Sequence, residues 1–100
     1  MLGVCLLLID GEEEKELFRE FYWRYEKKLY AVALNILHSP ALAEEAESEA
    51  FLRVAQHFEK FLNIYRKSRQ EIGPWAVTIV KNISLDMLEK EKRYGALPEE

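Results

Sequence analysis

Between residues 18 and 36, apolar side chains recur at steps of three and four residues, and this periodicity constrains the fold most. Such steps place side chains on one face of an α-helix, whereas a strand requires a step of two. We therefore predict one long helix over residues 11–38 whose apolar face is buried. The stripe comprises Phe18, Phe21, Tyr22, Tyr25, Leu29, Val32, Ala33 and Ile36.

Two further helices follow from start signals. Asp10 and Glu13 have the capping-box spacing that would begin the first helix. Ser39 as N-cap and Pro40 at the first helical position predict the start of a second helix. We expect this second helix to continue to Phe61, because its apolar positions keep the helical period. These positions are Ala43, Ala46, Ala50, Phe51, Val54, Phe58 and Phe61.

The start of the last helix has two competing signals. Ser68 with Glu71 has capping-box spacing, whereas Gly73-Pro74 favours a later start because proline disfavours helical geometry before it. We predict that the helix starts at Pro74, after a loop over 62–73 with a single short turn. Gly95 and Pro98 would end it. Its buried positions are expected to be Ala76, Ile79, Val80, Ile83 and Met87.

These elements predict an all-α fold, a bundle of three main helices with a fourth short one at the N-terminus. Glycine and proline are few, and 49% of the residues are apolar. Residues 1–10 form an apolar arm or short helix, residues 11–95 the domain, and residues 96–100 the start of a linker or tail. The apolar run in the arm is too short to span a bilayer.

Enzymatic and metal chemistry find little support in the sequence. His38 and His57 are the only histidines, and neither has a partner at metal-ligand spacing. There is no glycine-rich phosphate loop. Cys5 is the single cysteine, so no internal disulfide can form, and we expect a cytoplasmic protein in which Cys5 packs as a small apolar side chain. We therefore predict no enzyme, no metal and no cofactor.

Charge is divided among segments of the chain. Residues 10–20 hold six acids and two bases, residues 41–51 four acids and no base, and residues 60–70 four bases and no acid. This division suits two different partners, although each run could instead be a solvated helix face. The basic segment also contains Phe61 and Tyr65. Cations beside aromatic rings are typical of single-strand nucleic-acid binding, whereas Phe61 is expected in the core.

The order of these features resembles region 2 of the sigma-70 family, in its extracytoplasmic-function-like branch. The resemblance covers residues 17–93. It begins with "FREFYWRYEKKLYAVALNILHSPALAEEAESEAFLRVAQHFEKF", similar to that family's aromatic-rich first helix, short turn and acidic helix ending in Phe-Leu-Arg. It continues with "PWAVTIVKNISLDMLEKEKR", similar to its Trp-led helix with Asn and then Asp-x-Leu. Each motif alone is modest, but their order is fairly specific.

The resemblance implies a role in transcription initiation, in which the acidic helix binds the clamp helices of the largest subunit of core RNA polymerase. The last helix and the loop before it would recognise the non-template strand of the minus-ten promoter element. An anti-sigma factor is a further implied partner, and no membrane is involved. The polymerase contacts would be Glu45, Ser48, Glu49, Phe51, Leu52 and Arg53. The DNA contacts would be Lys60, Tyr65, Arg66, Lys67, Arg69, Trp75, Lys81 and Asn82, with Asn82 given by the motif and the cations by their charge.

The chain also departs from the family pattern. Residues 45–49 stand where family members often have Asp-Leu-Val-Gln-Glu, and residues 89–93 are less basic than is usual. The alternative is therefore a degenerate sigma-like helical module that binds a protein partner without recognising a promoter. The chain covers only the first of the two family domains, and "ALPEE" resembles the beginning of an interdomain linker, so we expect a longer protein.

Overall fold

A computed structural model describes residues 1–94, all-α in agreement with the sequence prediction. No strand occurs within these residues. The predicted linker at 96–100, together with Gly95 and Pro98, lies outside the described residues. The helices are α1 (Leu2–Leu7), α2 (Glu12–Leu37), α3 (Pro40–Gln56), α4 (Phe58–Lys67) and α5 (Ile72–Arg93), with a 3₁₀ turn at Arg69–Glu71 before α5.

The core lies where α2 packs against both α3 and α5. An aromatic cluster fills its centre, because Phe21 of α2 makes edge contacts with Phe51 of α3 at 5.4 Å and with Phe61 of α4 at 5.2 Å between ring centroids. Such edge-to-face pairs contribute roughly 0.5–1.5 kcal/mol beyond the burial of their area. The predicted stripe is confirmed, with Leu29 and Ala33 completely buried.

The N-terminal arm is a helix that packs on the domain. Cys5 and Ile9 are buried, as predicted for the cysteine, and burial raises the pKa of the Cys5 thiol. The predicted cap of α2 by Asp10 is wrong. Gly11 is the N-cap with a φ of 89°, which glycine adopts readily, and no side chain caps this end. The first turn of α2 is nevertheless acidic, as its dipole favours.

The turn between α2 and α3 follows the sequence prediction. His38 ends α2 in the left-handed region at a φ of 54°, and the Ser39 hydroxyl accepts a hydrogen bond from the Leu42 N–H at 3.3 Å. Pro40 occupies the first helical position, where its missing N–H has no helical partner to lose. The alanines of α3 are buried and allow close helix packing; they are Ala43, Ala46 and Ala50.

The predicted second helix is in fact two helices. α3 ends at Gln56, and His57 has a non-helical φ of −119° and ψ of 45° between α3 and α4. Just after this break, Phe58 joins the core. It stacks on Phe61 with centroids 4.8 Å apart and makes an edge contact with Phe18 at 6.2 Å. Both rings thus pack towards α2, although the local sequence contains neither glycine nor proline.

The last helix begins two residues earlier than predicted. α5 starts at Ile72, which is buried, and Pro74 lies inside its first turn, where proline is tolerated. The predicted loop over 62–73 is also wrong, because α4 and the 3₁₀ turn occupy most of it. The apolar face of α5 agrees with the prediction, except that Ile79 and Met87 are only half-buried.

Within residues 1–94, no helix combines the length and the apolar character needed to cross a membrane.

Candidate protein and nucleic-acid interfaces

One face of α3 carries most of the residues predicted to bind a protein. Glu45, Glu49 and Arg53 follow one another at four-residue steps, so they form a single stripe. Arg53 donates a hydrogen bond to the Glu49 carboxylate at 3.3 Å, and this ion pair is well exposed. Ser48 and Leu52 are half-buried beside the stripe. An exposed pair of this kind contributes little to stability and leaves the face available to a partner.

Phe51 does not belong to this face, and its prediction as a polymerase contact is wrong. The side chain is completely buried and lies between Tyr22, at 4.6 Å, and Phe18, at 6.3 Å between centroids. Position 51 follows the inward alanines of α3 rather than its outward carboxylates. Phe51 therefore packs in the core beneath the α3 face, and its ring is not accessible to a partner.

A second acidic cluster lies where α3 meets α2. Glu47 is half-buried and lines a cleft with Glu26, Lys27 and Tyr30. Burial, and then the charges of Glu26 and Glu44, raise the pKa of the Glu47 carboxyl to about 7. The Glu47 carboxyl therefore changes between its neutral and its negatively charged form near neutral pH.

A surface groove gathers residues from three helices. It is lined by Arg53 of α3, Lys60 of α4 and Asn82 of α5, with His57, Trp75 and Ile79 completing the lining. The cations favour an anionic ligand, while the Asn82 amide can both donate and accept hydrogen bonds. Trp75 is half-buried, with its ring centroid 6.3 Å from that of Phe61, so its inner side packs on the core and part of it faces the groove.

The remaining predicted cations lie at the end of α4, in the 3₁₀ turn and on α5. Arg66 and Lys67 are exposed in its last turn, and Arg69 follows in the 3₁₀ turn. Arg69 places its guanidinium over the ring of Tyr65, 4.8 Å from the centroid, a cation–π contact. None of these three forms a salt bridge with another described residue. Lys81 is exposed on α5 but does not line the groove.

Two further cations, both on α2, lie near these residues and were not predicted from the sequence. Arg24 lines a cavity together with Tyr65 and Arg69, and Lys28 lines a neighbouring cleft with Tyr25. The only available signal was their four-residue spacing, which places them on one face of α2 but does not indicate what packs beside it.

No cluster of three or more potential metal ligands occurs in the described part of the chain, residues 1–94.

The described helices thus form an all-α bundle with an acidic face on α3 and a groove that carries Arg53, Lys60 and Trp75. The model of the family Sigma-70 region 2 matches residues 21–94. This match spans most of the chain, and the protein belongs to the sigma-70 region 2 family. This membership indicates a sigma-factor role in transcription initiation, and the family is not one of enzymes. Comparison with curated proteins and with solved structures found no match.

Proposed function

We propose that this domain binds core RNA polymerase through α3 and holds the non-template strand of the minus-ten promoter element in the groove between α4 and α5. The observation that carries the proposal is the groove, which combines Asn82 of the family motif with Lys60 and Arg53. Cations neutralise phosphate, and the amide can hydrogen-bond an unpaired base. Such a protein would work in the cytoplasm.

The stripe of Glu45, Glu49 and Arg53 supports α3 as the protein-binding face. Its carboxylates would meet the basic surface of the polymerase clamp helices, where charge complementarity accelerates encounter and fixes register. Arg53 belongs both to this stripe and to the groove lining. The two interfaces would therefore adjoin, with the strand entering next to the polymerase surface.

Retention on immobilised core RNA polymerase tests the α3 face. The double variant Glu45→Lys/Glu49→Lys should be retained much less than the wild type, because two attractive charges become repulsive. Glu12→Lys/Glu16→Lys is a matched control with the same spacing and charge change on α2, and it should be retained like the wild type. Equal retention of the α3 variant and the control would contradict the assignment.

Fluorescence anisotropy with a labelled single strand tests the groove. Asn82→Ala should weaken binding of a minus-ten strand by a factor of roughly 5–100, the cost expected for one base-reading contact. Asn35→Ala removes another exposed amide, on α2, and should have no effect. The measurement requires low salt, because phosphate contacts weaken steeply as salt rises. Indistinguishable binding by both variants would contradict the groove assignment.

A second candidate is a sigma-like module that binds protein but no promoter. The end of α5 favours it, because two of its three cations are already engaged along the helix: Lys90 contacts Asp86 at 3.2 Å and Arg93 contacts Glu89 at 3.0 Å. These pairs reduce the charge that this end offers to DNA. Under this candidate the α3 variant loses polymerase retention, while the wild type binds no single strand even at low salt. An anti-sigma factor would be a further partner in either case.

A further inference from the structure

We propose that the exposed apolar side of α1 forms a second part of the polymerase-binding surface, next to the acidic stripe of α3. The side chains of this α1 face are Val4 and Leu7, with Met1 and Leu8 at the two ends of the helix. The proposal rests on the proposed function, because it requires that α3 binds core RNA polymerase. α1 lies outside residues 21–94, which the family model matches.

α1 is apolar on every side. One side packs on the domain, where Cys5 is buried. The opposite side is in solvent, and Leu7 is 83% exposed and Val4 53% exposed. A helix that is apolar all round is normally buried, and apolar side chains grouped on one exposed surface typically mark an interaction site. The α1 face is therefore a surface that a partner would cover.

α1 packs beside the part of α3 that carries the acidic stripe. Its main neighbour is α3, and it also contacts α2. Burial raises the pKa of the Tyr22 hydroxyl, and nearby charges, among them those of Glu47 and Cys5, raise it further. Cys5 of α1 and Glu47 of α3 therefore both lie near Tyr22. Since Glu47 stands between Glu45 and Glu49 in the sequence, α1 lies beside the same turns of α3 as the stripe.

The small size of the α3 stripe favours an apolar neighbour in the same interface. A stable interface buries about 800 Å² on each partner, contributed by roughly 20–30 residues. The stripe offers three charged side chains, Glu45, Glu49 and Arg53. The centre of an interface is more apolar than its rim, which is polar. The α1 face supplies the apolar part of the surface, and the stripe supplies a charged rim.

Charge decides between polymerase and a second copy of this chain as the partner of the α1 face. α1 has no charged side chain, so the charge comes from its surroundings. Glu44 and Glu45 of α3 are exposed, and the chain carries a formal net charge of −4. Two copies that met through their α1 faces would bring like charges together, whereas a basic surface would meet opposite charges. The basic polymerase surface proposed for α3 therefore suits the α1 face as well.

Biolayer interferometry with immobilised core RNA polymerase and the untagged chain in solution tests the α1 face. Leu7→Gln should raise Kd about tenfold, as expected when a side chain is removed from the apolar centre of an interface. Leu85→Gln is the matched control, because it makes the same substitution at an exposed leucine of α5, and it should leave Kd unchanged. Both side chains are exposed in the free chain, so both variants should fold, which circular dichroism verifies.

Salt separates the two parts of the surface. The effect of Leu7→Gln on Kd should be nearly the same at low and at moderate salt, because an apolar contact is not screened. The effect of Glu45→Lys/Glu49→Lys should become smaller as salt rises, because exposed charges are screened. An effect of Leu7→Gln that disappears at moderate salt would overturn the apolar contact.

Equal Kd values for Leu7→Gln and Leu85→Gln would overturn the α1 face as a polymerase contact. If Glu45→Lys/Glu49→Lys still bound polymerase more weakly than the wild type, the proposed function would stand. A wild-type chain that polymerase does not retain would overturn both. Sedimentation velocity and co-sedimentation with phosphatidylcholine vesicles test the other occupants. A dimer or a vesicle complex that Leu7→Gln abolishes, together with unchanged polymerase binding, would assign the face to a second copy or to lipid instead.

Discussion

Packing changes the charge of the Glu47 side chain. Its carboxyl pKa is raised to about 7 in the fold, first by burial and then by Glu26 and Glu44. In the unfolded chain its pKa would lie near the ordinary value of 4.5. The folded state therefore binds more protons between these two values, so this group makes the fold less stable as pH rises from about 4.5 to about 7.

Glu47→Gln should remove this pH dependence. At pH 8 the variant should be more stable than the wild type by roughly 1 kcal/mol after allowance for solvent screening, and near pH 4 the two should be alike. Thermal unfolding followed by circular dichroism at both pH values measures the difference. Glu45→Gln removes a charge from the exposed stripe and should change stability less. A variant that is less stable than the wild type at pH 8 would contradict the account.

Phe51 and Leu52 are neighbours in sequence with opposite environments. Phe51→Ala should destabilise the fold by about 3–5 kcal/mol, because it leaves a cavity beside Phe18 and Phe21. Leu52 is half-buried, and Leu52→Ala should cost clearly less. Urea unfolding of both variants compares them directly. A loss of polymerase retention in a fully folded Phe51→Ala protein would contradict its assignment to the core.

The predicted helices differ from the observed ones mainly where tertiary contacts decide the boundary. The α2–α3 turn was predictable because Ser39 and Pro40 are local signals. The break at His57 was not, because the apolar period continues through it and only the packing of Phe58 and Phe61 against α2 shows why the chain bends. The earlier start of α5 likewise depends on the burial of Ile72.

The contribution of the Ser39 N-cap to the stability of α3 can be measured by substitution. Ser39→Ala should lower stability by about 1 kcal/mol, because the Leu42 N–H loses its partner. For a domain of this size the midpoint of thermal unfolding should fall by about 4–8 °C. Ser68 also precedes a helical turn, but its side chain makes no capping bond, so Ser68→Ala is the control. Equal midpoints for the two variants would contradict the capping role.

The molecule as a whole separates negative from positive surface. The α3 stripe carries Glu45 and Glu49, whereas Lys60 lines the groove and Arg24 and Arg69 line the separate cavity beside Tyr65. The charge runs of the sequence predicted this separation. They did not predict that Arg53 would adjoin both surfaces or that Arg24 would lie beside Tyr65, because these proximities arise from helix packing.

Two charge-reversal variants show most directly whether the two surfaces bind different partners. Polymerase retention and single-strand anisotropy should both be measured on Glu45→Lys/Glu49→Lys and on Lys60→Glu/Arg66→Glu. We expect the first variant to lose polymerase and keep the strand, and the second to lose the strand and keep polymerase. The division of the surface would be contradicted if each folded variant lost both activities, or if both variants kept both activities.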